Sequence, residues 1–162
     1  MYEPTSPQPL PDTVDLGQLD DPLAAVTAAE LGSCFVQLSM CATEPTVARL
    51  AGQEAMLRKP GGIELSKRVL AQRMYRRIEA DVFGLLRSCV PLEHAGFALS
   101  RIEDLLRAQF EDIIGTAASY LLSDDRETAI QMATVATTMA AREVRSGVAE
   151  IIGQTRRFDE AV

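Results

Sequence analysis

The sequence has no tryptophan, and its 162 residues include only one histidine, three cysteines, three tyrosines and five phenylalanines. A core with so few rings must be built from aliphatic side chains, and alanine alone occurs 22 times. Apolar residues make up 47% of the chain and charged residues 24%, the proportions of one ordinary globular domain. The net charge of −7 disfavours a general nucleic-acid binder.

The cysteines Cys34, Cys41 and Cys89 form no disulfide framework and no Cys-x-x-Cys pair. The N-terminus lacks the basic start and apolar run of a secretion signal. The longest uncharged stretches, 31–43 and 128–141, are shorter than the ~20 residues that span a bilayer. We therefore expect a cytoplasmic protein without a membrane partner.

Residues 1–20 differ from the rest of the chain, because they hold four of the eight prolines and four acidic residues without a lysine or arginine. Such a composition predicts an extended tail at 1–20, followed by a helical domain at 21–162. Two interpretations remain open for the tail. It is either solvated, or docked on the bundle or a partner through its apolar residues Leu10, Val14, Leu16 and Leu19.

After the tail, apolar residues recur every three or four positions, which is typical of amphipathic helices, and no window alternates in the manner of a strand. Asp21-Pro22 is expected to begin the first helix, and Glu44-Pro45 to break or kink it before a short helix that ends near Lys59. Pro60-Gly61-Gly62 predicts a loop. Three long helices are then predicted over 63–90, 92–122 and 125–157, the last opened by a capping box at Asp124 and Glu127.

These segments predict an all-α fold: an elongated antiparallel bundle of four long helices plus one short helix. The clearest apolar stripe comprises Leu99, Ile102, Leu106, Phe110, Ile113, Ala117 and Tyr120. Small residues four apart, Ala24, Ala28 and Gly32, indicate a close approach between two helices.

The sequence offers little to catalysis. His94 follows Pro91 in a first helical turn, so it belongs to no Glu-x-x-His or Cys-x-x-Cys-His motif and is poorly placed for a phosphorelay histidine. The cysteines lie on or beside apolar stripes, where a thiol acts as a small hydrophobe. We expect no enzyme, no cofactor and no metal, although a carboxylate site remains an alternative, drawn from Glu79, Asp81, Glu103, Asp104, Glu111 and Asp112.

Charge is unevenly placed, since residues 58–77 carry +6 and the remainder of the chain −13. The candidate residues for binding a partner or an anion are Arg68, Arg73, Arg76 and Arg77. Three interpretations compete: pairing with Glu103, Asp104, Glu111 and Asp112 on a neighbouring helix; an acidic protein partner or the acidic tail; and nucleic acid or phosphate. The absence of interleaved aromatic residues and of a helix-turn-helix signature disfavours nucleic acid.

The last helix carries apolar residues beside its main stripe, and a helix that is apolar nearly all round must be buried nearly all round. These residues predict a homo-oligomer interface at Ile130, Met132, Val135 and Met139.

Arg101-Ile102-Glu103-Asp104-Leu105 loosely resembles a stretch of the helical phosphate-transport regulators of the PhoU type. The resemblance covers five residues, and no functional residue is carried over from it. We expect a non-enzymatic bundle that acts through protein–protein contacts, as an adaptor, an accessory or regulatory subunit, or a chaperone-like partner. The alternatives are a regulatory bundle that senses a small anion or a metal ion, and a degenerate helical enzyme.

Overall fold

A computed structural model of the chain describes residues 22–123 and 125–161, with side chains described as far as residue 157. In order, its helices are α1 (Pro22–Ala51), α2 (Glu54–Leu57), α3 (Gly62–Cys89), α4 (Leu92–Ser123) and α5 (Arg126–Ala161). The described part of the chain contains no strand, so the prediction of an all-α protein is confirmed. The predicted tail at 1–20 and the predicted cap at Asp21 lie outside the described residues.

The four long helices form a bundle in which α1 contacts α3 and α5, while α4 lies between α3 and α5. Neighbouring helices run antiparallel. Thr27, near the start of α1, donates a hydrogen bond of 3.3 Å to Cys89 Sγ at the end of α3. Arg101 of α4 likewise donates to Gln154, late in α5, over 3.0 Å. At ~1.5 Å per residue the 36 residues of α5 extend about 54 Å, so the bundle is elongated as predicted.

The core is mostly aliphatic, with three buried aromatic rings, Phe35, Tyr75 and Phe110, and the rings of Phe35 and Phe110 stack between α1 and α4. Their centroids lie 4.7 Å apart at an interplanar angle of 17°. The predicted stripe of α4 is buried at Ile102, Leu106, Phe110, Ile113 and Ala117, and partly buried at Leu99 and Tyr120. This stacked pair joins α1 and α4, which face each other across the bundle.

The predicted break or kink at Pro45 does not end the first helix, because α1 continues through this residue to Ala51. A proline inside a helix costs about 3 kcal/mol. Val47 and Leu50, which follow it, are fully buried in the bundle. Burying each of these side chains contributes about 1.5–3 kcal/mol, so packing outweighs the cost of the proline. The break falls instead between Ala51 and Glu54, before the short α2.

The predicted loop before α3 is confirmed. Gly61 adopts a φ of 75°, in the left-handed region that favours glycine. The predicted cap residue of α5, Asp124, lies outside the described residues. Among the described residues the backbone N–H of Thr128 donates a 2.7 Å hydrogen bond to Asp125 Oδ1. This bond and the N–H of Glu127 lower the pKa of the Asp125 carboxyl. Beyond this cap, α5 continues past the predicted end at residue 157 to Ala161.

Glycine permits close helix contacts on two sides of α5. A Cβ atom on Gly32 of α1 would lie 2.5 Å from Cγ of Arg145, and one on Gly147 would lie 2.7 Å from Cδ2 of Leu105 in α4. The first contact is the close approach that the small residues of α1 predict.

By length and composition, α1 is apolar enough to cross a membrane. In its most apolar window, 44% of the residues are buried inside the bundle. A core helix of a soluble protein has the same properties, and α1 contributes Leu31, Phe35, Val47 and Leu50 to the core.

Candidate functional site: a basic surface on α3

Arg68, Arg73, Arg76 and Arg77 are exposed on α3, and we call these four residues the α3 basic surface. Within the described residues, none of the four makes an ion pair or a hydrogen bond. Lys67, from the same segment, differs, since its Nζ lies 3.0 Å from Glu64 on its own helix. The positive charge of the α3 basic surface is therefore not balanced by direct contacts in the described part of the chain.

One of the three interpretations of this charge, pairing with carboxylates of the neighbouring helix, is not seen among the described residues, since no ion pair joins the α3 basic surface to Glu103, Asp104, Glu111 or Asp112. On α4, Arg107 lies one turn from two of those carboxylates, and its Nη2 atom is 2.9 Å from Glu103 and 3.0 Å from Asp104. Pairs three or four residues apart on one helix form without ordering a second element. Arg107 therefore pairs with two of the four carboxylates, Glu103 and Asp104.

The α3 basic surface is divided between two clefts. Arg68 lines one between α3 and α4, together with Gln72, Asp104, Arg107, Ala108 and Glu111. Arg73 and Arg77 line a second cleft on the other side of α3, against α1. Arg76 is exposed and lines neither of them.

The cleft between α3 and α4 has mixed charge. Arg107 Nη1 donates to Gln72 Oε1 over 2.9 Å while its other terminal nitrogen contacts the two carboxylates. Asp104 and Glu111 also line this cleft, so Arg68 faces negative charge without an ion pair within 4.0 Å. This cleft largely balances its own charge.

The cleft between α1 and α3, which we call the α1/α3 cleft, has a volume of about 120 Å³. Residues of α1 and α3 line it on opposite sides: Ala42, Pro45, Thr46 and Arg49, and Leu70, Arg73, Met74 and Arg77. Ala42, Leu70 and Met74 are buried and form its apolar floor. The lining residues include three arginines and no carboxylate.

Sequence reasoning missed Arg49, because it expected the first helix to break or kink at Pro45. Once α1 continues to Ala51, positions 42, 45, 46 and 49 share one face of that helix. The sequence therefore places Arg49 on the same face as Ala42, Pro45 and Thr46 only when the first helix is assigned through to Ala51.

Exposed apolar side chains accompany the arginines on the outer side of α3. Leu65 is 52% exposed and Val69 is 45% exposed, and they lie one turn apart on the helix. Arg76 follows Val69 by seven residues and shares that side. This side of α3 therefore combines exposed apolar side chains with positive charge.

The predicted oligomer residues of α5 do not share one environment. Val135 and Met139 are 49% and 66% exposed, and Met132 is partly buried. Ile130 packs against the core of its own bundle. The exposed apolar face of α5 is therefore centred on Val135 and Met139.

Cys34 and Tyr75 lie in environments that keep their side chains in the neutral form. Burial, followed by the charges of Asp81 and Glu30, raises the pKa of the Cys34 thiol, which opposes the thiolate that nucleophilic catalysis needs. Burial and the charges of Glu103 and Glu79 also raise the pKa of Tyr75, which keeps its hydroxyl neutral. Among the described residues, no group of three or more histidine, cysteine or acidic side chains is arranged to hold a metal ion.

His94 is partly buried in the first turn of α4, where its backbone N–H donates 2.9 Å to the carbonyl of Pro91. This is the helix-start position expected from the sequence.

Comparisons of this chain with protein-family models, with curated proteins and with solved structures found no match.

Proposed function

We propose that this protein is a non-enzymatic helical bundle that acts through protein–protein contacts, as an adaptor or as an accessory or regulatory subunit. Its partner is a protein with an acidic surface, which binds the α3 basic surface. The observation that carries the proposal is that these four exposed arginines lack an ion pair among the described residues.

The chemistry of arginine supports an acidic protein partner. A guanidinium group presents a planar fork of donors that matches the two oxygens of a carboxylate. Exposed ion pairs contribute little individually, about 0–1 kcal/mol each, so charge provides orientation and association rate more than affinity. Leu65 and Val69 supply the apolar area that such an interface also needs. The partner we propose therefore presents acidic residues around a small apolar centre.

Self-association through α5 is a second part of the proposal. Val135 and Met139 expose apolar area that burial against another copy of the same face would remove from water. The proposal also places the protein in the cytoplasm, which accords with the free thiols of Cys34, Cys41 and Cys89.

The test uses a fluorescein-labelled amphipathic peptide of glutamate and leucine, with binding measured by fluorescence anisotropy at low salt. One variant replaces the α3 basic surface with glutamine. The matched control removes the same charge elsewhere, at four exposed arginines: Arg101, Arg126, Arg142 and Arg157. We expect the first variant to weaken binding at least about tenfold more than the control.

Equal losses in the two variants would mean that the peptide responds only to net charge, and the proposal would then be wrong. Native mass spectrometry of the protein isolated from its own cell extract provides the second readout. A stoichiometric acidic protein that is lost with the α3 variant, and retained with the control, is the expected result.

A further inference from the structure

We propose that the α1/α3 cleft binds a small oxyanion of the phosphate type that carries two or more negative charges. This inference goes beyond the proposed function, because it concerns a small ligand and depends on Arg49, which is not part of the α3 basic surface. It shares Arg73 and Arg77 with that surface, and the experiment below separates the two.

Three exposed arginines from two helices line the α1/α3 cleft. Arg73 and Arg77 are one turn apart on α3, and Arg49 lies in the last turn of α1 on the opposite wall of the cleft. None of the three has an ion pair or a hydrogen bond among the described residues. Three like charges that line one cleft repel each other, and a bound anion converts that repulsion into attraction.

The residues around the α1/α3 cleft leave its positive charge unbalanced. Its eight residues include no carboxylate that would neutralise the arginines internally, in contrast to the cleft between α3 and α4. Ala42, Leu70 and Met74 give it an apolar floor, which strengthens the charge-assisted hydrogen bonds formed above it. Thr46 lines the same wall as Arg49 and adds a hydroxyl group that can donate to an oxygen atom.

The α1/α3 cleft has a volume of about 120 Å³, smaller than the cleft between α3 and α4 at about 340 Å³. A space of this size admits a compact tetrahedral anion, and a charge of two or more uses the three arginines better than a monocarboxylate does.

The test is isothermal titration calorimetry with inorganic phosphate at low salt, on the wild-type chain and on single variants. Arg49→Gln and Arg73→Gln are expected to weaken phosphate binding at least about tenfold, as expected for the loss of a hydrogen bond to a charged group. Arg49→Lys is expected to recover only part of the affinity, because lysine keeps the charge and lacks the fork. Arg76→Gln, an exposed arginine of the same helix outside the cleft, is the control and is expected to change affinity less than about twofold.

Two further ligands define the chemistry. Acetate is expected not to compete with phosphate. O-phosphoserine distinguishes the source of the ligand, since tighter binding than phosphate points to a phosphoryl group carried on a larger molecule and weaker binding to the free anion. Circular dichroism of each variant checks that the exposed substitutions leave the helices intact.

The inference is overturned if the wild-type chain does not bind phosphate, if acetate competes equally, or if Arg49→Gln and Arg76→Gln have the same effect. Its failure is separable from that of the proposed function. The acidic peptide depends on Arg76 and the cleft ligand does not, whereas the cleft ligand depends on Arg49, which the proposed peptide surface excludes.

Discussion

Two glycines of α3 allow the packing before this helix to be tested with the same substitution in two environments. A Cβ atom on Gly62, the first residue of α3, would overlap the backbone carbonyl oxygen of Met56 and lie 2.8 Å from the carbonyl carbon. A Cβ atom on Gly84, in the interior of the same helix, would meet nothing within 4 Å. We predict that Gly62→Ala destabilises the protein and that Gly84→Ala stabilises it.

The magnitudes follow from these contacts. Alanine is favoured over glycine in an exposed helix interior by about 0.8–1.0 kcal/mol, which is the stabilisation expected for Gly84→Ala. At Gly62 the obstructing atoms belong to the backbone of the segment that contains α2, so no side-chain rotation relieves the overlap. Overpacking costs about 1–3 kcal/mol, partly offset by about 0.4–1 kcal/mol from the smaller entropy of the unfolded chain. A net loss of about 1–2 kcal/mol is expected.

The free energy of unfolding of both variants is measured by urea denaturation, and the melting temperature by circular dichroism. The two variants are expected to differ by about 2–3 kcal/mol, which in a chain of this length separates their melting temperatures by roughly 4–12 °C. If Gly62→Ala is as stable as the wild-type protein or more stable, the close packing of Gly62 against Met56 is refuted.

Three other predictions concern the faces and ends of the helices. Met139→Glu places a charge at the centre of the exposed α5 face and is expected to convert a dimer to a monomer in sedimentation equilibrium; a wild-type monomer at tens of micromolar would refute self-association. Asp125→Ala is expected to lower the melting temperature at neutral pH. Because the folded pKa of this carboxyl lies below its unfolded value of about 3.9, the cap is fully present above that pH and is lost as the pH falls through the lowered value. The difference between wild-type and variant should therefore shrink in acid, and a constant difference from pH 7 to pH 2 would refute the assignment. Residues 1–20 carry four acidic residues, which we expect to compete for the arginines. Their deletion should therefore tighten binding of the acidic peptide at low salt, with the gain fading towards about half-molar salt. Unchanged binding at every salt concentration would exclude this competition.

The outcome at Pro45 shows where a local rule fails. A proline is unfavourable inside any helix, and this part of the prediction rests on the residue alone. Whether the helix nevertheless continues depends on the free energy gained by the residues after it. Val47 and Leu50 enter a core that α3, α4 and α5 complete, and α4 and α5 are distant from them in sequence.

The candidate site was predictable in part. The uneven charge of residues 58–77 indicated Arg73 and Arg77, because composition alone exposes a local excess of arginine. Their separation from Arg68 also follows from the period of the helix once α3 is assigned. Arg49 was not predictable in this way, since its role depends on the neighbour that α1 takes in the bundle.

The sequence by itself determined the helical class of this protein, most helix boundaries and the aliphatic core, because each depends on short-range periodicity and on the local effects of proline and glycine. Only the tertiary structure decided that α1 passes through Pro45, that Arg107 pairs with Glu103 and Asp104, and that Arg49 lines the same cleft as Arg73 and Arg77. These outcomes depend on which helices become neighbours and on how those helices are offset along the bundle axis. That arrangement is set by the summed packing of the whole bundle, and no local window of the sequence contains it.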